Sequence, residues 1–150
     1  MSVYELQVLP NYFEQAGVYL YAGAGGVLER NDIFMNVSAG VAISEGASPS
    51  LVENLIRDGQ DAGVLVHDDG RGELRSNNIH SNRTYGIACL TGGAPRAARN
   101  WVHGIKQGGV LCDEGGAGEF EQNEIAENAK SGITLRGACQ PVSYFVACSV

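Results

Sequence analysis

The stretch GVLVHDDG, residues 63–70, places His67 beside two consecutive carboxylates, Asp68 and Asp69. A histidine next to paired acids is the raw material of a general acid–base site or a metal site. The same residues also suit a solvated turn after an apolar strand. The choice depends on what brings other groups to them. Two more histidines, His80 and His103, stand 23 residues apart, as do Cys89 and Cys112. That common interval points to the elements that carry all of these side chains.

The interval runs through the chain. Glycine followed by Val or Ile recurs at Gly17, Gly40, Gly63, Gly86, Gly109 and Gly132, each 23 after the last. Asparagine recurs in the same period at Asn31, Asn54, Asn77, Asn100 and Asn123, with an aliphatic residue two positions on. Three positions before each asparagine stands Leu28, Leu51, Leu74, Ala97 or Phe120. Apolar residues within each run alternate with a spacing of two, the strand period. Three short strands per 23 residues with glycine at the corners make one turn of a parallel β-helix. The expected fold is all-β: a right-handed, single-stranded parallel β-helix of six coils over residues 17–141. Residues 1–16 read as a degenerate coil or cap and 142–150 as a C-terminal cap or tail, with Tyr144, Phe145 and Val146 over the open end. The whole of 1–150 is then one domain.

Stacked coils put equivalent side chains directly over one another, about 4.8 Å apart. Val, Ile and Leu columns fill the core. The glycine column marks either a left-handed turn or a place where a Cβ would clash. The asparagines form a structural ladder, passing amide hydrogen bonds from coil to coil at the bend between the second and third strands. A second period overlies the first: Gly26, Pro49, Gly72, Pro95, Gly118 and Pro141 alternate, and Asn36, Asn82 and Asn128 recur every second coil. The coils therefore come in pairs.

Residues 17–141 are built of alternating coil types, exemplified by GVLERNDIFMN and PSLVENLIRDG. In this they resemble the CASH-type β-helix repeats of the F-box-only ubiquitin-ligase substrate receptors. The resemblance implies a recognition surface for protein substrates. The 16 residues before the first coil are too few for an F-box, and the dispersed Cys and His residues do not make that family's zinc-finger box. What the resemblance implies for this chain is therefore a binding scaffold, and it does not extend to ligase recruitment.

Many β-helices act on polysaccharides, but fold alone confers no activity. The outward column after each Gly-Val reads Tyr19, Ala42, Leu65, Ala88, Leu111, Thr134, and the next reads Tyr21, Ser44, His67, Leu90, Asp113, Arg136. Glu45, Asp68, Asp69 and Glu114 follow in the turn. Acid groups on adjacent coils do not converge, because Thr91 stands above Asp68 and Asp69. The sequence signatures of polygalacturonases and alginate epimerases are absent. The expectation is therefore a non-catalytic scaffold with no catalytic residues, no cofactor and no metal. Its binding face comprises Tyr19, Tyr21, Leu65, His67, Asp68, Asp69, Leu111, Asp113 and Glu114. In this pattern His67 is an outward, solvated side chain, and Leu65 and Leu111 belong to an exposed apolar row. The alternatives are a carbohydrate-binding or polysaccharide-active β-helix, and a structural module that self-associates through its open ends.

The formal net charge of −7 disfavours nucleic acid and complements a basic protein partner. No run of about 20 apolar residues spans a membrane. With no basic, apolar leader and no C-x-x-C pair, the expected compartment is cytoplasmic or nuclear. Cys89 and Cys112 stack inward, but parallel strand spacing exceeds the usual Cβ separation of a disulfide, so both are expected as buried thiols. His80 and His103 make a stacked outward column without a third metal ligand.

Overall fold

A computed structural model describes residues 15–144 and 146–149. With strands numbered in chain order, three parallel sheets run its length. The first contains β1 (Val18–Leu20), β4 (Val41–Ile43), β7 (Val64–Val66), β10 (Tyr85–Cys89), β13 (Gly108–Cys112) and β16 (Ile133–Leu135). The second contains β2 (Val27–Glu29), β5 (Ser50–Val52), β8 (Glu73–Arg75), β11 (Arg96–Ala98), β14 (Glu119–Glu121) and β17 (Val142–Tyr144). The third contains β3 (Asp32–Phe34), β6 (Leu55–Arg57), β9 (Asn78–His80), β12 (Trp101–His103), β15 (Glu124–Ala126) and β18 (Ala147–Cys148). Every pairing is parallel and joins residues one coil apart, as in Val41↔Val64 and Ile56↔Ile79. This is the right-handed β-helix of about six coils that the period predicts.

Each three-residue strand turns its side chains alternately inward and outward, and the inward columns form one core. Val41, Val64, Ile43, Val66, Leu51, Leu74, Ile56 and Ile79 are all fully buried. Where the column shrinks to Ala97, the next coil supplies Phe120, so the volume lost on one coil is restored by its neighbour. Val146 packs against this core from the C-terminal side. Phe145 and the side chain of Tyr144, expected beside it, lie outside the described residues.

The asparagine ladder holds from Asn31 to Asn123. Asn77 Oδ1 accepts from the Asn54 backbone N–H at 2.9 Å and from Asn54 Nδ2 at 3.0 Å, while Asn77 Nδ2 donates to the Leu51 carbonyl at 2.9 Å. The asparagines are not themselves left-handed. The residue before each is: Arg30, Glu53, Ser76, Arg99 and Gln122 have φ of 54°, 52°, 57°, 55° and 52°. The left-handed residue makes the corner, and the asparagine behind it holds the backbone groups the corner leaves unpaired.

The every-second-coil asparagines do the same work after the third strand. Asn82 Oδ1 accepts from Gly59 N–H at 3.0 Å and its Nδ2 donates to the Ile56 carbonyl at 3.1 Å. Asn128 does this for Ile105 N–H and the Val102 carbonyl. The paired-coil rhythm is thus a hydrogen-bonding requirement. The Gly/Pro alternation is steric: Gly72 has φ +118°, and a Cβ there would sit 2.8 Å from the Pro49 carbonyl oxygen. The Gly-Val column is explained by crowding, because a Cβ on Gly63 would lie 2.5 Å from Ile79 Cγ2 and 2.8 Å from the Gly86 oxygen.

Candidate functional site

The outer face of the first sheet differs from the expected exposed row. Leu65, Ala88 and Leu111 are only 5%, 4% and 5% exposed. They form a second apolar cluster with Ala16, Ala39, Ala42 and Ala62, against which Tyr19, Tyr85 and Leu90 pack. Leu65 and Leu111 are therefore the floor of a groove and not a ridge. The reason is that larger side chains flank the row on the middle coils. Tyr85 is the main wall, and its ring is accommodated by Gly108 on the next coil, where a Cβ would lie 3.0 Å from Tyr85 Cε1. Thr84, whose hydroxyl donates to Asp61 Oδ1 at 2.9 Å, continues that wall, and Leu90 stands opposite. The open groove has a volume of about 310 Å³. Ala88 stands in register between Leu65 and Leu111, and its small side chain leaves a notch in the floor. Sequence reasoning missed Tyr85, although a large aromatic in a column otherwise holding Ala16, Ala39, Ala62, Gly108 and Ser131 was the available signal.

Tyr19 and Tyr21 lie toward the N-terminal end of the same face, rings stacked at 4.9 Å, with Tyr21 exposed. Ser44 is buried and donates its hydroxyl to Tyr19 Oη at 3.3 Å.

His67 is also not the solvated side chain its outward register predicts. It is 4% exposed, and its Nδ1 lies 2.8 Å from Asp68 Oδ2. An outward position in a β-helix is covered whenever neighbouring coils carry side chains over it, and alternation within one strand does not report that. The hydrogen bond from His67 is the main cause holding the Asp68 carboxyl below the usual carboxylate range; partial burial opposes it and Thr91 assists. Asp68 and Asp69 themselves are exposed.

The turn carrying these acids is unlike its neighbours. In four other coils the corner is a left-handed residue followed by left-handed glycine: Ala22-Gly23, Glu45-Gly46, Thr91-Gly92 and Glu114-Gly115. In the third coil it is Asp68-Asp69, with φ of 44° and 60°. Asp69 therefore keeps a carboxylate where glycine fits with less strain. Two coils on, Asp113 accepts from Glu114 N–H at 2.8 Å and pairs with Arg136 at 2.9 Å, while Glu114 is exposed. The Thr91-Gly92 turn separates the two acidic turns. No group of three or more His, Cys, Asp or Glu side chains among the described residues could hold a metal ion.

The outer face of the third sheet carries a run of planar groups. Arg57 lies over the Phe34 ring, 4.6 Å from its centroid, and forks onto Asp32 through Nε at 3.1 Å and Nη2 at 2.9 Å. His80 and His103 stack at 5.0 Å, the column expected from the period. Trp101, which sequence reasoning did not single out, stacks on His103 at 3.7 Å. The second sheet's outer face is a charged groove of about 360 Å³ in which Arg96 pairs with Glu119 at 3.0 Å. Inside the helix, Cys89 and Cys112 are free, buried and in register. Hydrogen bonding to Cys112, together with burial, pushes the Cys89 thiol well up and keeps it neutral.

A solenoid with an apolar groove on one outer sheet and acidic turns after the strands of that sheet is a parallel β-helix that presents side chains from successive coils as one surface. The chain belongs to the family described as right handed beta helix region, which matches residues 5–102. No curated protein and no solved structure matches it. No helix among the described residues is long and apolar enough to cross a membrane.

Proposed function

We propose that this β-helix is a binding scaffold that recognises an extended segment of a partner protein on the outer face of its first sheet. The observation that carries this is the groove of about 310 Å³ floored by Leu65, Ala88 and Leu111. An apolar notch flanked by aromatic and polar walls suits one aliphatic side chain. The exposed carboxylates of Asp68, Asp69 and Glu114, at the strand ends of the same face, complement a basic residue further along the segment. Tyr19 and Tyr21 extend the surface. The coil resemblance to F-box-type substrate receptors supports a protein ligand. No step of catalysis is assigned to His67, whose exposed-face position is covered.

The test is a panel of capped peptides with one aliphatic residue spaced two to five positions from a lysine or arginine, read against wild type and Ala88→Phe. The phenyl group fills the notch without touching the inward core. Peptide binding that depends on both residues and is lost in Ala88→Phe supports the reading. Binding or turnover of a polysaccharide, abolished by the same substitution while all peptides stay silent, overturns it.

A further inference from the structure

The third sheet carries a separate surface. Trp101 is the single tryptophan of the chain and is 45% exposed. His103 covers part of its indole at 3.7 Å with an interplanar angle of 18°. The in-register neighbours of Trp101 are Asn78 on one side and Glu124 on the other. Asn78 Oδ1 is engaged by His103 Nε2 at 2.9 Å. Glu124 is exposed and makes no ion pair with Lys or Arg among the described residues. Glu127 adds negative charge nearby, as both acids act on His103.

The same face shows what an aromatic ring beside a carboxylate holds. Near its N-terminal end, Arg57 occupies such a pair, its guanidinium over Phe34 and forked onto both oxygens of Asp32. Near its C-terminal end, Trp101 and Glu124 stand in register on adjacent strands, whose backbones are roughly 4.8 Å apart, and among the described residues no arginine or lysine pairs with Glu124. We propose that Trp101 and Glu124 form a docking site for an arginine side chain of a partner protein. The guanidinium stacks on the indole and donates two hydrogen bonds to the carboxylate. Arginine fits better than lysine because its planar fork both stacks and pairs, whereas an ammonium is a strongly hydrated point charge. The chain's net charge of −7 favours approach of such a segment. This site lies on a different sheet from the groove and holds whether or not the groove takes a peptide.

Because the protein has one tryptophan, its fluorescence reports this site directly. The probe is a capped heptapeptide with three arginines, compared with versions carrying lysine or citrulline at those positions. A saturable change in emission with the arginine peptide is expected, weakened about tenfold by lysine substitution and by Glu124→Gln. Glu121→Gln removes the same charge from the second sheet, and Ala88→Phe alters only the groove; both should leave the titration unchanged. Equal weakening by Glu124→Gln and Glu121→Gln, or equal binding of the lysine peptide, would reduce the effect to net charge and overturn the assignment. So would no saturable change, or a response to the citrulline peptide or to neutral oligosaccharides alone.

Discussion

The Asp69 carboxylate rests against the Cα of Gly92 on the next coil, where an added Cβ would lie 2.5 Å from Asp69 Oδ1. Asp69 thus occupies a left-handed position that glycine fills in the neighbouring turns, and its carboxylate uses the space that a glycine above it leaves. A left-handed non-glycine residue costs about 1–2 kcal/mol, of which glycine's greater unfolded freedom takes back about 0.5–1 kcal/mol. Asp69→Gly is therefore expected to stabilise the protein by about 0.5–1 kcal/mol, raising Tm by a few degrees in a thermal melt. Binding of basic peptides should fall in the same variant. A stabilised protein with unchanged binding would remove Asp69 from the proposed surface.

The ladder makes a position-dependent prediction. Removing the Asn77 side chain leaves Asn54 N–H without its partner, takes one of two acceptors from Asn54 Nδ2, which keeps the Leu28 carbonyl at 2.8 Å, and removes a donor from the Leu51 carbonyl, all in a buried corner. At about 1–3 kcal/mol for the unpaired N–H and about 1 kcal/mol for each of the other two hydrogen bonds lost, Asn77→Ala should cost about 3 kcal/mol or more. Asn31 is the first rung of the ladder among the described residues, and its own Oδ1 accepts no hydrogen bond from any of them. Asn31→Ala should cost under about 1 kcal/mol. Urea unfolding of the two variants measures the contrast; equal costs would mean the amides act singly and not as a ladder.

The columns were legible because each residue in a β-helix sees its own equivalents one coil away, so inward burial, the ladder and the Cys89–Cys112 register all follow from the period. What escaped was set by residues that break the period. Tyr85 replaces the alanine of its column and walls the groove, which turned the expected exposed row of Leu65 and Leu111 into a floor. His67 escaped in another way: alternation within a strand assigns it outward, but the side chain is 4% exposed and its Nδ1 meets Asp68, which spacing does not encode. Trp101 is one aromatic in a column of Asp32, Leu55, Asn78 and Glu124, and its stacking on His103 depends on side-chain direction, which spacing does not encode.

The glycine column predicts two outcomes for one substitution. In Gly63→Ala the new methyl meets the Gly86 carbonyl oxygen at 2.8 Å, a backbone atom fixed by the sheet, and Ile79 Cγ2. Overpacking of this kind costs about 1–3 kcal/mol. In Gly132→Ala, at the last coil, the nearest atoms are Cys148 Cβ and Sγ at 3.3 Å, which can yield. That variant should lie within about 0.5 kcal/mol of wild type. A similar loss at both positions would mean that backbone conformation, and not crowding, fixes the column.

His103 predicts how acid acts on the third sheet. Partial burial chiefly holds its pKa below the ordinary histidine value; the charge of His80, stacked on it, acts the same way, and Glu127 and Glu124 pull against both. Ser81 and Asn78 hydrogen-bond the two rings, and Trp101 lies on His103. Because the folded pKa lies below the unfolded one, the unfolded chain takes up this proton first. The stability that neutral His103 contributes is complete above the unfolded value, about 6.5, and is lost as pH falls from there toward the folded value. His103→Gln keeps a planar hydrogen-bonding group that does not titrate. Its stability should fall less than that of wild type between pH 7 and pH 5, followed by urea midpoints at each pH. Parallel curves for the two proteins would show that His103 keeps the same proton affinity folded and unfolded.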